Sequence, residues 1–276
     1  MLRPKQFIKN LLIFYPPFFL VDGFRENIIP ATYVFLLFCV LTAGVYLFND
    51  SVDYANDINH PEKRKRAVAR GIITPKVAYI NSAILVSFSL SLSFIVSGVS
   101  VFKWFCCYLF INMFYSFYLK NVPYIELVCV ATGFPLRLLV GNSISPGSGS
   151  DVVFALLNVF VLCLALTLVV SKRLNELVLY GRSVRPVLAY YTRDSLVRVY
   201  YLVFVFFIIS SAPWLLLNGG FYGIVLFWSS LLILHRVLYL GVRLRLGNPD
   251  AVLRDMFFNI LGFLFFISLL PLNYIS

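Results

Sequence analysis

Nine apolar runs, all but a short first one near the roughly 20 residues an α-helix needs to cross a bilayer, leave this 276-residue chain little choice of architecture. They lie near residues 10–23, 28–48, 77–98, 101–119, 123–142, 152–171, 199–217, 220–240 and 256–273. Lipid offers the backbone no water, so each run must close its hydrogen bonds within a helix. Only 13% of the residues are charged and 61% are hydrophobic, whereas globular domains carry roughly 25% charge. The expected fold is all-α, a polytopic membrane protein read as one domain over residues 1–276. The first run contains Pro16-Pro17 and is expected to kink or tilt. Its basic start, with Arg3, Lys5 and Lys9, resembles a signal peptide, but no small-residue cleavage site follows and Asp22 interrupts it. It is therefore read as retained.

Cytoplasmic loops of membrane proteins hold the excess of Lys and Arg. If the spans alternate, one side receives Arg3, Lys5, Lys9, the 54–76 loop, Lys120, the 172–198 loop, Arg236, Arg243, Arg245 and Arg254. The other receives Arg25 and Lys103. The expected localisation is an integral membrane protein with the N-terminus and the 54–76 loop cytoplasmic. The net charge of +11 is then largely a topogenic signal, and nucleic acid is not an expected partner. Cys39, Cys106, Cys107, Cys129 and Cys163 all lie in apolar runs without a C-x-x-C spacing and read as packing residues. His60 and His235 are too far apart to suggest a histidine-ligated metal.

One stretch at the end of the second run carries chemistry. On a helix, Asn49, Asp53, Asp57 and Asp50 fall at roughly 0, 40, 80 and 100° around the axis, on one face. Three carboxylates so close, at a membrane boundary, call for a divalent cation and an anionic ligand to satisfy it. Oxygen-only donors suit Mg2+ bridging to a phosphate. Asn49, Asp50, Asp53 and Asp57 are the candidate metal ligands, and the three aspartates the candidate catalytic groups.

Two basic loops supply phosphate-binding candidates. Lys63, Arg64 and Arg66 follow the acidic stretch within a dozen residues, a pairing of metal ligands and cations that fits a diphosphate. Alone, such a run reads as a topogenic or headgroup patch. In the second loop Lys172, Glu176 and Arg173 fall at roughly 0, 40 and 100° if the helix continues past the membrane, a phosphate clamp with one orienting carboxylate. An interfacial cap with a local ion pair is the alternative. Arg185 lies further along that loop. Tyr115, Tyr118 and Lys120, closing the fourth run, are further donors at the same cytoplasmic level, although Tyr and Lys are also ordinary interface anchors, and Lys9 is a further phosphate-binding candidate. Glu126 and Arg137 fall inside the fifth run, where ionisable groups face a cavity or a partner; Arg137 follows a Gly-x-Pro break and reads equally as a ligand donor or a buried salt bridge.

These residues resemble the UbiA superfamily of intramembrane prenyltransferases, whose first motif is Asn-Asp-x-x-Asp-x-x-x-Asp; residues 49–57 match every fixed position. Within it the chain is most similar to the decaprenyl-phosphate phosphoribosyltransferase branch. The matching segments are Arg3-Pro4-Lys5-Gln6-Phe7-Ile8-Lys9-Asn10, His60 to Arg66, Tyr118-Leu119-Lys120 with Pro123, Gly133 to Arg137, and Lys172 to Leu177. The resemblance implies nine transmembrane helices around a cytoplasm-facing cavity. It also implies Mg2+-dependent attack of a polyprenyl phosphate on phosphoribosyl pyrophosphate, releasing pyrophosphate, for cell-envelope glycan precursors. Asn49, Asp50, Asp53 and Asp57 would hold Mg2+ and pyrophosphate. Lys63, Arg64, Arg66, Lys120, Lys172 and Arg173 would bind phosphates, and Glu176 would orient the ribose or those cations. Quinone-, chlorophyll- and heme-forming members have a second Asp-rich motif where this chain has Lys172 to Glu176, which favours a phosphoribosyl donor. The chain departs from the branch at Arg66-Ala67-Val68-Ala69-Arg70-Gly71, where Arg-Pro-Ile-Ala-Ser-Gly is usual, and at Glu126, where Asp is usual.

The alternative activity is prenyl transfer from a prenyl diphosphate to an aromatic or other acceptor. From another class, the alternative is a transporter or a non-catalytic lipid-binding subunit whose charged loops only sense headgroups; the acidic face argues against it, since a lipid sensor needs no triple carboxylate. Expected partners are phosphoribosyl pyrophosphate, a polyprenyl phosphate and membrane lipids. The broad apolar faces of the last spans are compatible with a homo-oligomer.

Overall fold

The computed structural model describes residues 7–19, 24–144, 151–217 and 221–243, and among them the regular structure is helical with no strand. By Cα proximity the chain divides into two compact units. The first holds Met1–Lys120 with Leu136–Gly147, the second Asn121–Pro135 with Ser148–Ser276.

The first unit begins with a tight 3-10 segment, Ile8–Phe14, and a short helix α1, Tyr15–Phe19. The predicted span 10–23 is thus a broken element over its described part. Pro16 and Pro17 lack amide hydrogens, so they cannot continue a regular ladder from the preceding turn. Two long helices follow, α2 over Phe24–Val52 and α4 over Pro75–Phe117, with the short α3, Tyr54–Ile58, between them. Pro75 stands at the start of α4 and the Thr74 hydroxyl accepts from the Val77 amide at 3.3 Å, a regular N-cap. Gly98, at φ +70° and ψ −171°, interrupts the 43 residues of α4, which separates the predicted spans 77–98 and 101–119. Such a φ is open to glycine and strained for residues with a Cβ.

Lipid gives helices no hydrophobic reason to associate, so α2 and α4 are held by close approach and interhelical hydrogen bonds. Ser82 donates to the Gly44 carbonyl at 2.7 Å and Ser89 to the Leu37 carbonyl at 2.8 Å. A Cβ on Gly44 would lie 2.9 Å from the Val86 side chain. Phe38, Leu41, Phe105 and Tyr108 fill the core, together with Ile13 from the 3-10 segment and Val140.

In the second unit the chain runs through the first half of α5 (Ile125–Asn142), α6 (Asp151–Tyr180), α7 (Arg193–Leu217) and α8 (Phe221–Arg243). Leu127, Val170, Leu174, Leu188, Tyr191, Leu196 and Tyr200 form one core, and Phe160, Cys163, Phe207 and Leu234 another. Helix α6 runs to Tyr180, beyond the apolar run that ends near 171, so the helical continuation expected of Lys172 to Glu176 is present. Five of the described helices are long and apolar enough to cross a membrane. The predicted span 256–273, with Arg3, Lys5, Asp22, Arg245 and Arg254, lies outside the described residues.

Candidate active site

Helix α2 ends at Val52, and Asp53, at φ −85° and ψ 0°, opens α3. The helical path is only dented there: the Asp53 amide still donates to the Asn49 carbonyl and the Asp57 amide to the Asp53 carbonyl, both at 2.9 Å. An unbroken i to i−4 spacing keeps the acidic residues on one side, as expected for a helix. His60 then folds the basic loop back. It is buried, and its Nδ1 accepts from the Glu62 and Lys63 amides at 3.2 and 3.3 Å. An accepting Nδ1 places the proton of the neutral imidazole on Nε2.

The turn returns cations onto the carboxylates. Arg66 Nη1 donates to Asp50 Oδ1 at 3.0 Å and to Asp57 Oδ2 at 2.6 Å. Lys63 Nζ stands 3.5 Å from Asp57 Oδ1. From beyond the end of α4, Lys120 Nζ bonds Asp53 Oδ1. The side-chain oxygen of Asn49, Oδ1, accepts from the buried hydroxyl of Ser116. Asp57 is 1% exposed, and burial pushes its carboxyl above the usual aspartate range, against the pull of Arg66 and Lys63 and with a push from Asp53. Its Oδ1 is buried and, among the described residues, accepts no hydrogen bond, the Lys63 ammonium being an ion-pair contact. Arg64 is exposed, Lys9 is half-buried in the 3-10 segment, and Tyr118 is exposed beside Phe114 and Phe117.

The donor set fits a hard divalent cation, being all oxygen, and the Asp57 Oδ1 without a donor supplies a ligand atom. The residues that would hold Mg2+ are Asn49, Asp50, Asp53 and Asp57. Among the described residues no three acidic, histidine or cysteine side chains already converge in a metal-binding group, because the guanidinium of Arg66 stands between Asp50 and Asp57.

A second ionic cluster lies wholly in the second unit. Arg173, 3% exposed, meets Glu126 through two parallel bonds, Nε to Oε1 at 2.7 Å and Nη2 to Oε2 at 2.8 Å. Its Nη1 donates to Glu176 Oε2 at 3.0 Å, and Arg185 Nε lies 3.2 Å from the same oxygen. Tyr191 anchors the group: its hydroxyl accepts from the Tyr124 amide at 2.9 Å and lies 3.5 Å from Glu126, and burial pushes it up to about 12. Tyr124 itself takes φ +65°, an unfavourable value for a residue with a Cβ. The three charges on the Lys172 turn therefore do not share one environment. Arg173 and Glu176 point inward and are paired, while Lys172 is exposed. With two arginines against two glutamates, the cluster is balanced.

Arg137 is buried in the first unit. Its Nε donates to Asn10 Oδ1 at 2.8 Å, and its guanidinium carbon lies 5.3 and 5.2 Å from the ring centres of Phe38 and Tyr108. Asn10 in turn donates to Cys39 Sγ and Thr42 Oγ1, so one arginine ties the 3-10 segment to α2, α4 and α5. Sequence reasoning assigned no role to Ser116, His60, Asn10 or Tyr191. Asn10 and His60 do stand in the segments that carry the family resemblance; Ser116 and Tyr191 act across long separations and carried no local signal.

Comparison with known proteins supplies the family and the fold. The family model described as the UbiA prenyltransferase family matches residues 12–270. A decaprenyl-phosphate phosphoribosyltransferase of Corynebacterium glutamicum is 31% identical over 222 residues, which cover 77% of this chain and 65% of that protein, just under two thirds of its length. The enzyme of the same name from Mycolicibacterium smegmatis is 27% identical over 77% of this chain and 68% of its own. Among solved structures, a UbiA homolog from Archaeoglobus fulgidus bound to GPP and Mg2+ aligns with a TM-score of 0.74 at 16% identity, covering 99% of this chain and 98% of that one. The length and spacing of the apolar helices, the Asn49 to Asp57 turn and the family match agree: the chain belongs to the UbiA prenyltransferase family, a family of membrane transferases.

Proposed function

We propose that the protein transfers the 5-phosphoribosyl group of phosphoribosyl pyrophosphate to a decaprenyl-like polyprenyl phosphate, with Mg2+, releasing pyrophosphate and supplying a precursor for envelope glycans. The observation that carries this reading is the matched set around one turn: Asp50, Asp53 and Asp57 interleaved with Lys63, Arg66 and Lys120. Carboxylates alone would serve a metal, and cations alone a headgroup. Both together suit a metal-bound diphosphate. The relatives named above support the phosphoribosyl donor, and so does the Lys172 to Glu176 stretch, whose one carboxylate is held by Arg173 and Arg185.

When bound, Mg2+ would neutralise charge on the leaving pyrophosphate. Asn49, Asp50, Asp53 and Asp57 position that charge at the end of α2, and Ser116 fixes the amide of Asn49. Lys63, Arg66 and Lys120 offer ammonium and guanidinium donors to phosphate oxygens, with Arg64 and Lys9 as further cations and Tyr118 as a hydroxyl donor; in the second unit, taken by itself, Lys172 and Arg185 are the candidate phosphate donors. Arg173 and Glu176 act by holding the start of the second basic loop, and Arg137 by holding the N-terminal segment. The acidic turn faces the cytoplasm of a bacterial plasma membrane, a reading supported by the Lys and Arg excess on that side.

The test is purified protein with Mg2+, phosphoribosyl pyrophosphate and decaprenyl phosphate. Lipid-linked phosphoribose and pyrophosphate in equal amounts are expected, and no product from folded protein across several lipid lengths overturns the reading. Prenyl transfer is the second reading, favoured by the GPP bound to the Archaeoglobus homolog. Turnover of geranyl diphosphate with an aromatic acceptor, and none of phosphoribosyl pyrophosphate, would select it.

A further inference from the structure

We infer that Arg66 and Lys120 are exchangeable counter-cations: they neutralise the acidic turn in the absence of ligand and move to the diphosphate when a divalent cation takes the carboxylates. The inference rests on the metal-diphosphate reading above and adds a coupling to it. Each carboxylate of the turn is engaged by a protein cation, Asp50 and Asp57 by one Arg66 nitrogen, Asp57 also by Lys63, and Asp53 by Lys120. Among the described residues Asp50, Asp53 and Asp57 are met by Lys63, Arg66 and Lys120, so their charge is offset without a metal.

Adding a divalent cation alone upsets that balance. The incoming charge must compete with Arg66 for Asp50 and Asp57, and it leaves excess positive charge in a half-buried place. Adding it with a diphosphate restores neutrality, because the displaced guanidinium and ammonium gain phosphate oxygens as partners. Metal and diphosphate therefore favour one another's binding. Arg66 is suited to the exchange: it lies in extended backbone at φ −66° and ψ 147° just past the Lys63–Lys65 turn, and its side chain is 23% exposed, which gives the guanidinium an aqueous route. Asp57, by contrast, is 1% exposed, and its Oδ1 accepts no hydrogen bond among the described residues, Lys63 standing 3.5 Å from it as an ion-pair partner, so it keeps an oxygen for the metal while its partner changes.

The experiment is a titration of the detergent-solubilised full chain with Mn2+, read by electron paramagnetic resonance, with and without inorganic pyrophosphate. Arg66→Gln should bind Mn2+ alone about tenfold tighter than the wild type, since a neighbouring cation lowers carboxylate affinity for protons by about 1–3 pK units and must oppose a metal likewise. With Mn2+ saturating, the same variant should bind pyrophosphate more weakly. If Arg66→Gln does not fold, judged by its melting midpoint and elution, Lys120→Gln tests the same exchange at Asp53. Unchanged or weaker Mn2+ binding in a folded variant overturns the inference while leaving the functional reading intact. Wild-type protein that binds no Mn2+ even with pyrophosphate overturns both.

Discussion

Arg173 and Glu126 meet through two parallel hydrogen bonds of 2.7 and 2.8 Å, with the arginine 3% exposed and the glutamate fully buried. Removing one partner of such a pair strands a buried charge, which costs about 3–5 kcal/mol. Glu126→Ala should therefore lower the melting midpoint sharply, whereas Glu126→Leu combined with Arg173→Met should recover much of the loss. Thermal unfolding in detergent measures both. Equal losses in the single and double variants would contradict the pairing.

Asp53 is less buried than Asp57 and is held by Lys120. Asp53→Asn keeps shape and loses charge. Turnover should fall at least ~100-fold, the scale of one lost electrostatic stabiliser, with the melting midpoint nearly unchanged. An active variant would contradict the metal role.

Ser116 holds Asn49 by a single hydroxyl. Ser116→Ala should cost about 1 kcal/mol of stability and raise the Mg2+ concentration needed for half-maximal rate, while Ser116→Thr, which keeps the hydroxyl, should restore it. Rates measured across an Mg2+ series would reveal this, and an unaltered Mg2+ requirement in Ser116→Ala would count against it.

Burial raises the Asp57 carboxyl above the ordinary aspartate value of about 3.9. Its protonated form is thus favoured in the fold, and the associated stability is present below the ordinary value and lost as pH rises through the raised one. The proton also competes with metal. Mn2+ affinity should fall as pH drops through the raised value, and Asp57→Asn should remove that dependence. Calorimetric titration in buffers of different ionisation heat would report the proton released.

Gly141 admits the Ile13 carbonyl, with which a Cβ would collide. The obstruction is backbone, so it yields only by displacement of the 3-10 segment. Gly141→Ala should lose about 1–3 kcal/mol and expose the N-terminal segment to protease. Wild-type proteolysis rates would argue against this packing.

Much of the molecule is legible in its sequence. The apolar runs of α2, α6, α7 and α8 were found because a helix in lipid is demanded by local length and hydropathy alone. Pro16-Pro17 announced the broken first element for an equally local reason. The cationic clamp expected at Lys172 to Glu176 was legible only in part. The helix was there, but Glu126, 47 residues away, binds Arg173 and balances the group.

From the sequence alone came the membrane-helical class and the shared face of Asn49, Asp50, Asp53 and Asp57. Both follow from periodicity and from the bilayer, which act on neighbours along the chain. Which cation meets which carboxylate was decided by tertiary structure. Lys120 reaches Asp53 and Ser116 reaches Asn49 across 67 residues, and Arg137 reaches Asn10 across 127. Such pairs depend on how helices pack, and charges of one kind look alike in sequence until packing gives each a partner.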